Sequence, residues 1–215
     1  MIKAIILDFD GVIAESVNIK TEAFAQLFEP EGDTVAQQVV DYHLKNGGVS
    51  RFDKFRYIYK DILKRPLSDV EFQRLCDGFA HLVVDGVVNA PYVPGTKEFL
   101  ENESSKYTCF VASATPKKEI DEIMSRKDLT SYFAKVYGAP TGKSEAAKEI
   151  LMNCNLDPKV ILFIGDAQSD YQAAMDNHIH FIARVHDAVF DDIDCLKIKD
   201  LREINQLIKS ISYAK

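Results

Sequence analysis

The 215-residue sequence predicts an α/β fold: a Rossmann-like, doubly wound parallel sheet core with an α-helical domain inserted after its first strand. Three observations carry this. From Tyr107 onward, short apolar runs of strand length alternate with amphipathic segments, the pattern of a parallel sheet with helices on both faces. Between the first apolar run and Pro91, about seventy residues show helical periodicity alone. The composition, 47% hydrophobic and 27% charged, supplies enough apolar surface for one large core with a smaller insert.

Ala4-Ile5-Ile6-Leu7 is the first strand, and four consecutive apolar residues suit a strand covered on both faces. It runs into Asp8-Phe9-Asp10-Gly11. The two acids stand at the strand's carboxyl end, where open α/β sheets build their sites. Residues i and i+2 of an extended chain point the same way, so both can reach one ligand. Carboxylates that close repel unless a cation or a shared proton relieves them. Gly11 permits an unusual turn or a close approach of the backbone.

After Ser16 the period becomes helical. Ala23, Phe24, Leu27 and Phe28 line one face of a helix that Pro30 and Gly32 end. Val35–Leu44 reads as a second helix, closed by Asn46-Gly47-Gly48. Ser50 caps a third through Leu63, with Phe52, Phe55, Ile58, Tyr59 and Ile62 inward. Leu67-Ser68-Asp69 starts a fourth, to about Val84, and Ala90–Gly95 is the return linker. The domain expectation is a core of residues 1–14 and 88–215 with a helical domain at 15–87.

Beyond the linker, strands Tyr107–Ala112, Lys135–Tyr137, Val160–Ile164, Ile179–Arg184 and Leu196–Ile198 alternate with helices Pro116–Arg126, Ser144–Asn153, Asp170–Asn177 and Leu201–Ser212. Three polar clusters fall at or just past strand ends. Ser113 precedes Ala114-Thr115-Pro116 at an expected helix start, where a hydroxyl and free N–H groups suit a phosphate-like anion, though serine also caps helices for structural reasons. Lys143 lies in a Gly/Pro loop opening a helix. The helix dipole disfavours a lysine there, so an anion is one reason for it and a solvated surface position is the other. Asp166 follows Val160–Ile164, and Asp170 comes four residues later near a helix start. Hard oxygen ligands converging from separate strands suit Mg²⁺.

A formal net charge of −7 argues against nucleic acid or an anionic membrane surface as the main partner. An anionic substrate stays compatible, because a metal ion and a few basic groups reverse the local field. No apolar run reaches transmembrane length, and Asp8 and Asp10 break the N-terminal one, so cytoplasm is the default expectation. A monomer is the default assembly. Cys76, Cys109, Cys154 and Cys195 have no metal-ligand spacing and read as reduced thiols. His178 and His180 share a strand face but lack a third ligand, and read as rim histidines.

The pieces Asp-Phe-Asp-Gly-Val, Ser113, Lys143 and Gly-Asp-Ala-Gln-Ser-Asp, in that order, resemble the haloacid dehalogenase superfamily in its phosphotransferase branch. The insert looks like the small helical cap of the phosphoglycolate phosphatase and β-phosphoglucomutase-like group, and Gly48-Val49-Ser50-Arg51-Phe52-Asp53 is similar to a cap loop of that mutase. Lys143 lacks the proline that often follows it in relatives, which leaves Lys148 as a fallback. The resemblance implies a Mg²⁺-dependent phosphatase acting on a small phosphorylated metabolite. Asp8 would be the nucleophile and Asp10 the general acid and base. Asp8, the Asp10 carbonyl and Asp166 would hold the metal, with Asp170 orienting Lys143 or a metal-bound water. Ser113, the Ala114 N–H and Lys143 would hold the phosphoryl oxygens.

The cap would hinge near Ala14–Ser16 and Val87–Pro91. Arg51 would reach a second phosphate or a carboxylate of the substrate, the alternative being a surface arginine. A sugar phosphomutase and a catalytically silent phosphate-binding protein are the competing readings. Asp10 counts against a dehalogenase or a phosphonate hydrolase. Chain length, and an acid that ends the first strand rather than an internal one, count against a signalling receiver domain.

Overall fold

Strand β1, Ala4–Leu7, opens the chain in a computed structural model that describes residues 1–186 and 188–213. Helices α1 (Val17–Phe28), α2 (Asp33–Lys45), α3 (Arg51–Tyr57, extended by a π turn at Ile58–Ile62) and α4 (Asp69–Asn89) follow. Then come α5 (Thr96–Asn102), β2 (Thr108–Pro116), α6 (Lys117–Arg126), β3 (Lys135–Ala139) and α7 (Lys143–Cys154). The chain continues with β4 (Ile161–Gly165), α8 (Gln168–Asp176), β5 (His180–Arg184), β6 (Leu196–Ile198) and α9 (Ile204–Tyr213).

The six strands form one parallel sheet in the order β3-β2-β1-β4-β5-β6. The chain lays β2 and β3 on one side of β1, then returns to build β4 to β6 on the other. The reversal between β1 and β4 is a switch point, where the loops after neighbouring strands diverge and leave a crevice. Successive β1 side chains alternate faces. Ile5 and Leu7 join a core shared with α1 to α6 and α9, while Ala4 and Ile6 join a second core against α7 and α8.

Helices α1 to α4 leave and re-enter the sheet domain side by side. Glu15 N–H donates to the Pro91 carbonyl at 2.9 Å, and Val93 N–H donates to that of Ile13 at 3.1 Å. Ser50 caps α3, its hydroxyl accepting from Asp53 N–H.

Four details differ from the sequence expectation. Helix α5 was not expected: seven residues with two buried apolar side chains, Phe99 and Leu100, are too few to show a period. Helix α4 runs past Val84 because Val87 continues its buried stripe. Strand β2 runs on to Pro116, its register with β3 breaking between Ala112 and Pro116. Ser113 therefore lies inside a strand, and the helix start with free N–H groups expected beside it lies further on, at Lys117. Strand β5 begins at His180, and His178 sits in the turn before it at φ 56°, so the two histidines do not share a strand face.

Cys76 and Cys109 are buried free thiols, and Cys154 and Cys195 are half-buried free thiols. Among the described residues, no helix is long and apolar enough to cross a membrane.

Candidate active site

The loop after β1 brings the crevice together. The N–H groups of Ile13 and Ala14 both donate to the Phe9 carbonyl, at 2.9 and 3.1 Å, which curls Asp8 to Ala14 into a tight turn. Gly11 stands in it at φ 74°, and a Cβ there would lie inside the Asp166 carboxylate. Only glycine lets the two strand ends approach so closely.

Asp8 Oδ1 accepts from Phe9 N–H at 2.7 Å, and its Oδ2 accepts from Lys143 Nζ at 2.8 Å. Lys143 is the first residue of α7, and its Nζ also lies 2.6 Å from Asp170 Oδ1. The other oxygen of Asp170 accepts from Ala167 N–H at 3.0 Å. All three ionic side chains are buried, Asp170 completely. Lys148 is exposed, so Lys143 is the lysine that meets Asp8.

The Asp10 carboxylate has a separate set of partners. Its Oδ1 accepts from Ser16 Oγ at 2.6 Å, and its Oδ2 accepts from Thr115 Oγ1 at 3.2 Å and pairs with Lys20. Burial alone would raise this carboxyl, but Lys20 and Ser16 outweigh it and hold Asp10 below the usual carboxylate range.

The other acids go the opposite way. Burial pushes Asp8 up to about 7, Lys143 pulling against it while Asp170 and Asp10 add to the rise. Burial likewise takes Asp170 to about 6 and raises Asp166. Burial disfavours the Lys143 ammonium, yet Asp170 and Asp8 outweigh it and hold that lysine well above its ordinary value.

Asp8, Asp166 and Asp170 each offer an oxygen within 4.8 Å of the others. This is a hard-oxygen cluster short of positive charge, which fits Mg²⁺. Asp8 and Asp166 stand at the ends of the neighbouring strands β1 and β4 and face the cavity at the sheet end, whereas Asp170 is fully buried behind them. Asp8 and Asp166 are therefore the acids placed to ligate directly. The Asp10 carboxylate is engaged elsewhere, which leaves its backbone carbonyl as the group it could offer.

A cavity of about 530 Å³ lies between the sheet end and the helical insert. Asp8, Asp10, Ala114 and Asp166 line it from the sheet, and Lys20, Arg51 and Lys54 from the helices. An adjoining cavity of about 620 Å³ holds Ser113 and Lys143 on its wall, and Gly48 and Val49 line both. Gly48 sits at φ 73°, where a Cβ would come 3.0 Å from Lys143 Nζ and collide with Ser169 Oγ, so the insert's loop lies directly on Lys143 and Ser169. Ser113 is buried, and its Oγ accepts from Thr115 N–H at 3.1 Å, which leaves its own O–H to donate.

Arg51 lines the cavity but is not free to serve it. Its guanidinium is buried and grips Glu119 of α6 with both terminal nitrogens, Nη1 at 2.7 Å.

Sequence reasoning passed over Lys20, Thr115, His43, Lys54 and His186, whose Nε2 lies 2.8 Å from Asp166 Oδ2. Two of them carried a signal. Lys20 lies three and four residues before Ala23 and Phe24, and Lys54 four before Ile58, so each places a charge on a helix's apolar stripe. Thr115 and His186 gave none.

A model of the family "Haloacid dehalogenase-like hydrolase" matches residues 5–184. A "Phosphorylated carbohydrates phosphatase" of Thermotoga maritima is 24% identical over 178 residues, covering 80% of each chain. Among solved structures, a "predicted phosphoglycolate phosphatase" from Haemophilus somnus superposes with a TM-score of 0.78 at 17% identity, over 96% of this chain and 97% of the other. A β-phosphoglucomutase from Clostridium difficile gives 0.79 at 19% identity, over 98% and 97%. At these identities the two structures establish the shared fold.

Proposed function

The chain belongs to the haloacid dehalogenase-like hydrolase family, and from that premise we propose that it is a Mg²⁺-dependent phosphatase of a small phosphorylated metabolite, working through an aspartyl-phosphate. One observation carries the reading. Lys143 bridges Asp8 and Asp170 beside Asp166, at the switch point of the sheet and on the wall of a cavity. The Thermotoga maritima relative, by name a phosphatase of phosphorylated carbohydrates, supports it.

In this reading an Asp8 carboxylate oxygen attacks phosphorus, and the bond from phosphorus to the ester oxygen breaks. Asp10 gives that oxygen a proton. A water then attacks the phosphorylated Asp8, Asp10 takes its proton, and inorganic phosphate leaves with Asp8 restored. Asp10 enters the first step protonated. The Lys20 and Ser16 contacts then stabilise the carboxylate left after it gives its proton, the form needed for the water step. The proton taken from water restores the acid for the next turnover. The Ser113 hydroxyl, the Ala114 N–H and Lys143 hold the phosphoryl oxygens while charge shifts among them. Asp8 and Asp166 would hold Mg²⁺, which when bound offsets the negative charge of nucleophile and substrate. Asp170 positions Lys143. The insert serves as a cap whose closure excludes water, moving about the paired crossings near Ala14–Ser16 and Val87–Pro91.

Release of inorganic phosphate from p-nitrophenyl phosphate, with and without excess chelator, tests the proposal. Mg²⁺-dependent release is expected, and full activity in metal-free protein would refute the metal assignment. A phosphomutase is the second reading, favoured by Gly48–Asp53 and by the likeness to the Clostridium difficile mutase. It would convert a sugar 1-phosphate into its 6-phosphate without net phosphate release.

A further inference from the structure

Apart from the exposed Lys45, the lysines and arginines around the two cavities, Lys54 excepted, are matched to carboxylates. Lys20 pairs with Asp10, Arg51 with Glu119, Arg184 with Glu15, and Lys143 with Asp8 and Asp170. Lys54 differs. It reaches the same cavity from α3, is 2% exposed, and among the described residues has no carboxylate within ion-pair distance. Its Nζ hydrogen-bonds only to His43 among the described residues, at 2.9 Å from Nδ1 and 3.4 Å from the carbonyl oxygen, and stands 5.7 Å from the centroid of the Phe24 ring. Burial, with Lys54 and Lys20 nearby, holds His43 at about 3, so its ring is neutral and Nδ1 accepts. An ammonium has three N–H donors, and His43 can take two. The third has no acceptor among the described residues of the protein.

We propose that Lys54 is a specificity residue, which binds a second anionic group, a carboxylate or a further phosphate, carried by the same ester whose first phosphate meets Asp8. This rests on the phosphatase reading above. A buried ammonium with one unused donor and no counter-ion is a ready partner for an incoming anion, and such charge-assisted bonds are strong when water is excluded. Burial brings Lys54 down to about 7, with Lys20 and Lys143 adding to the fall and Asp10 opposing it. The surroundings thus supply too little negative charge, and a ligand anion makes up the deficit. Arg51 cannot take this role in the conformation seen, because an anion there would have to displace Glu119.

The test compares kcat/KM for 2-phosphoglycolate, fructose 1,6-bisphosphate and p-nitrophenyl phosphate in wild type, Lys54→Met and Lys54→Gln. The first ester carries a carboxylate, the second a further phosphate, the third neither. The quantity read is the ratio of kcat/KM values within one protein, so a general loss of folded enzyme cancels. Wild type is expected to prefer one of the first two esters, and both variants to lose that preference by about ten- to a hundredfold. The ester affected tells carboxylate from phosphate. A wild type that turns over p-nitrophenyl phosphate but prefers neither other ester overturns the role of Lys54 and leaves the phosphatase reading standing. A preference that survives in both variants overturns it equally. No turnover of any ester in wild type removes the phosphatase reading, and the Lys54 role falls with it.

Discussion

Lys143 Nζ lies 2.6 Å from Asp170 Oδ1, both side chains almost wholly buried, and the same amine reaches Asp8 at 2.8 Å. Asp170 never needs to touch substrate to matter. It fixes where the ammonium stands, and so the charge that Asp8 experiences.

Asp170→Asn should leave the fold intact and lower kcat by about 10- to 100-fold, the usual cost of losing an orienting partner. Steady-state kinetics beside a circular dichroism spectrum decides this. An unchanged kcat would mean that Lys143 is positioned without Asp170.

Lys143→Met leaves Asp8 and Asp170 buried without their cation. Breaking a buried pair in this way costs about 3–5 kcal/mol. Urea unfolding should show that loss, together with loss of turnover.

The Arg51–Glu119 pair ties α3 of the insert to α6 of the sheet domain. Glu119→Gln strands a buried guanidinium, so a loss of about 2–5 kcal/mol is expected, much of it the penalty of the unpaired charge. Proteolysis at the crossings near Ala14–Ser16 and Val87–Pro91 should speed up. Cleavage at the wild-type rate would show that the pair does not hold the insert down.

Most of this architecture was legible because it rests on local pattern. The runs Ala4–Leu7 and Ile161–Gly165 are apolar throughout, since strands inside a doubly covered sheet have no solvent face to mark. Asp8 and Asp166 could be placed because each ends such a run, at the carboxyl edge where open α/β sheets build their sites. What escaped depends on contacts between distant segments. The Lys20–Asp10 pair, the Thr115 hydrogen bond and the Arg51–Glu119 grip join residues that no spacing rule connects. Ser113 could be located, but its setting in an extended strand reflects a register break against β3, which no single segment reveals.

Lys54 offers a pH test independent of catalysis. Its amine is held at about 7 in the folded protein, against an ordinary 10.5, with His43, Lys20, Lys143 and Asp10 as the ionisable groups around it. Between those values the unfolded chain binds a proton that the folded one does not, so this residue's contribution to stability rises with pH across that window. Lys54→Met removes the effect. The Tm of the variant minus that of wild type should be largest at pH 7 and below, and shrink toward pH 10. A difference that stays flat across this range would contradict the burial of an uncompensated amine.

Mg²⁺ should raise the Tm of wild type, the rise growing with the logarithm of its concentration above Kd, by mass action on the folded state. Asp166→Asn should abolish that rise, because Asp8 and Asp166 are the acids of the cluster that face the cavity. An equal rise in the variant would place the ion elsewhere.

The central claim is that Asp8 becomes covalently phosphorylated, and rapid quenching of a single turnover tests it most directly. Wild type is mixed with a ³²P-labelled phosphate ester in Mg²⁺, quenched in acid within milliseconds, and digested for peptide mapping. The label should appear on the peptide containing Asp8, be released by hydroxylamine as an acyl phosphate is, and be absent from Asp8→Asn. Turnover by Asp8→Asn at more than a tenth of the wild-type rate, with no label on that peptide in wild type, would contradict the account.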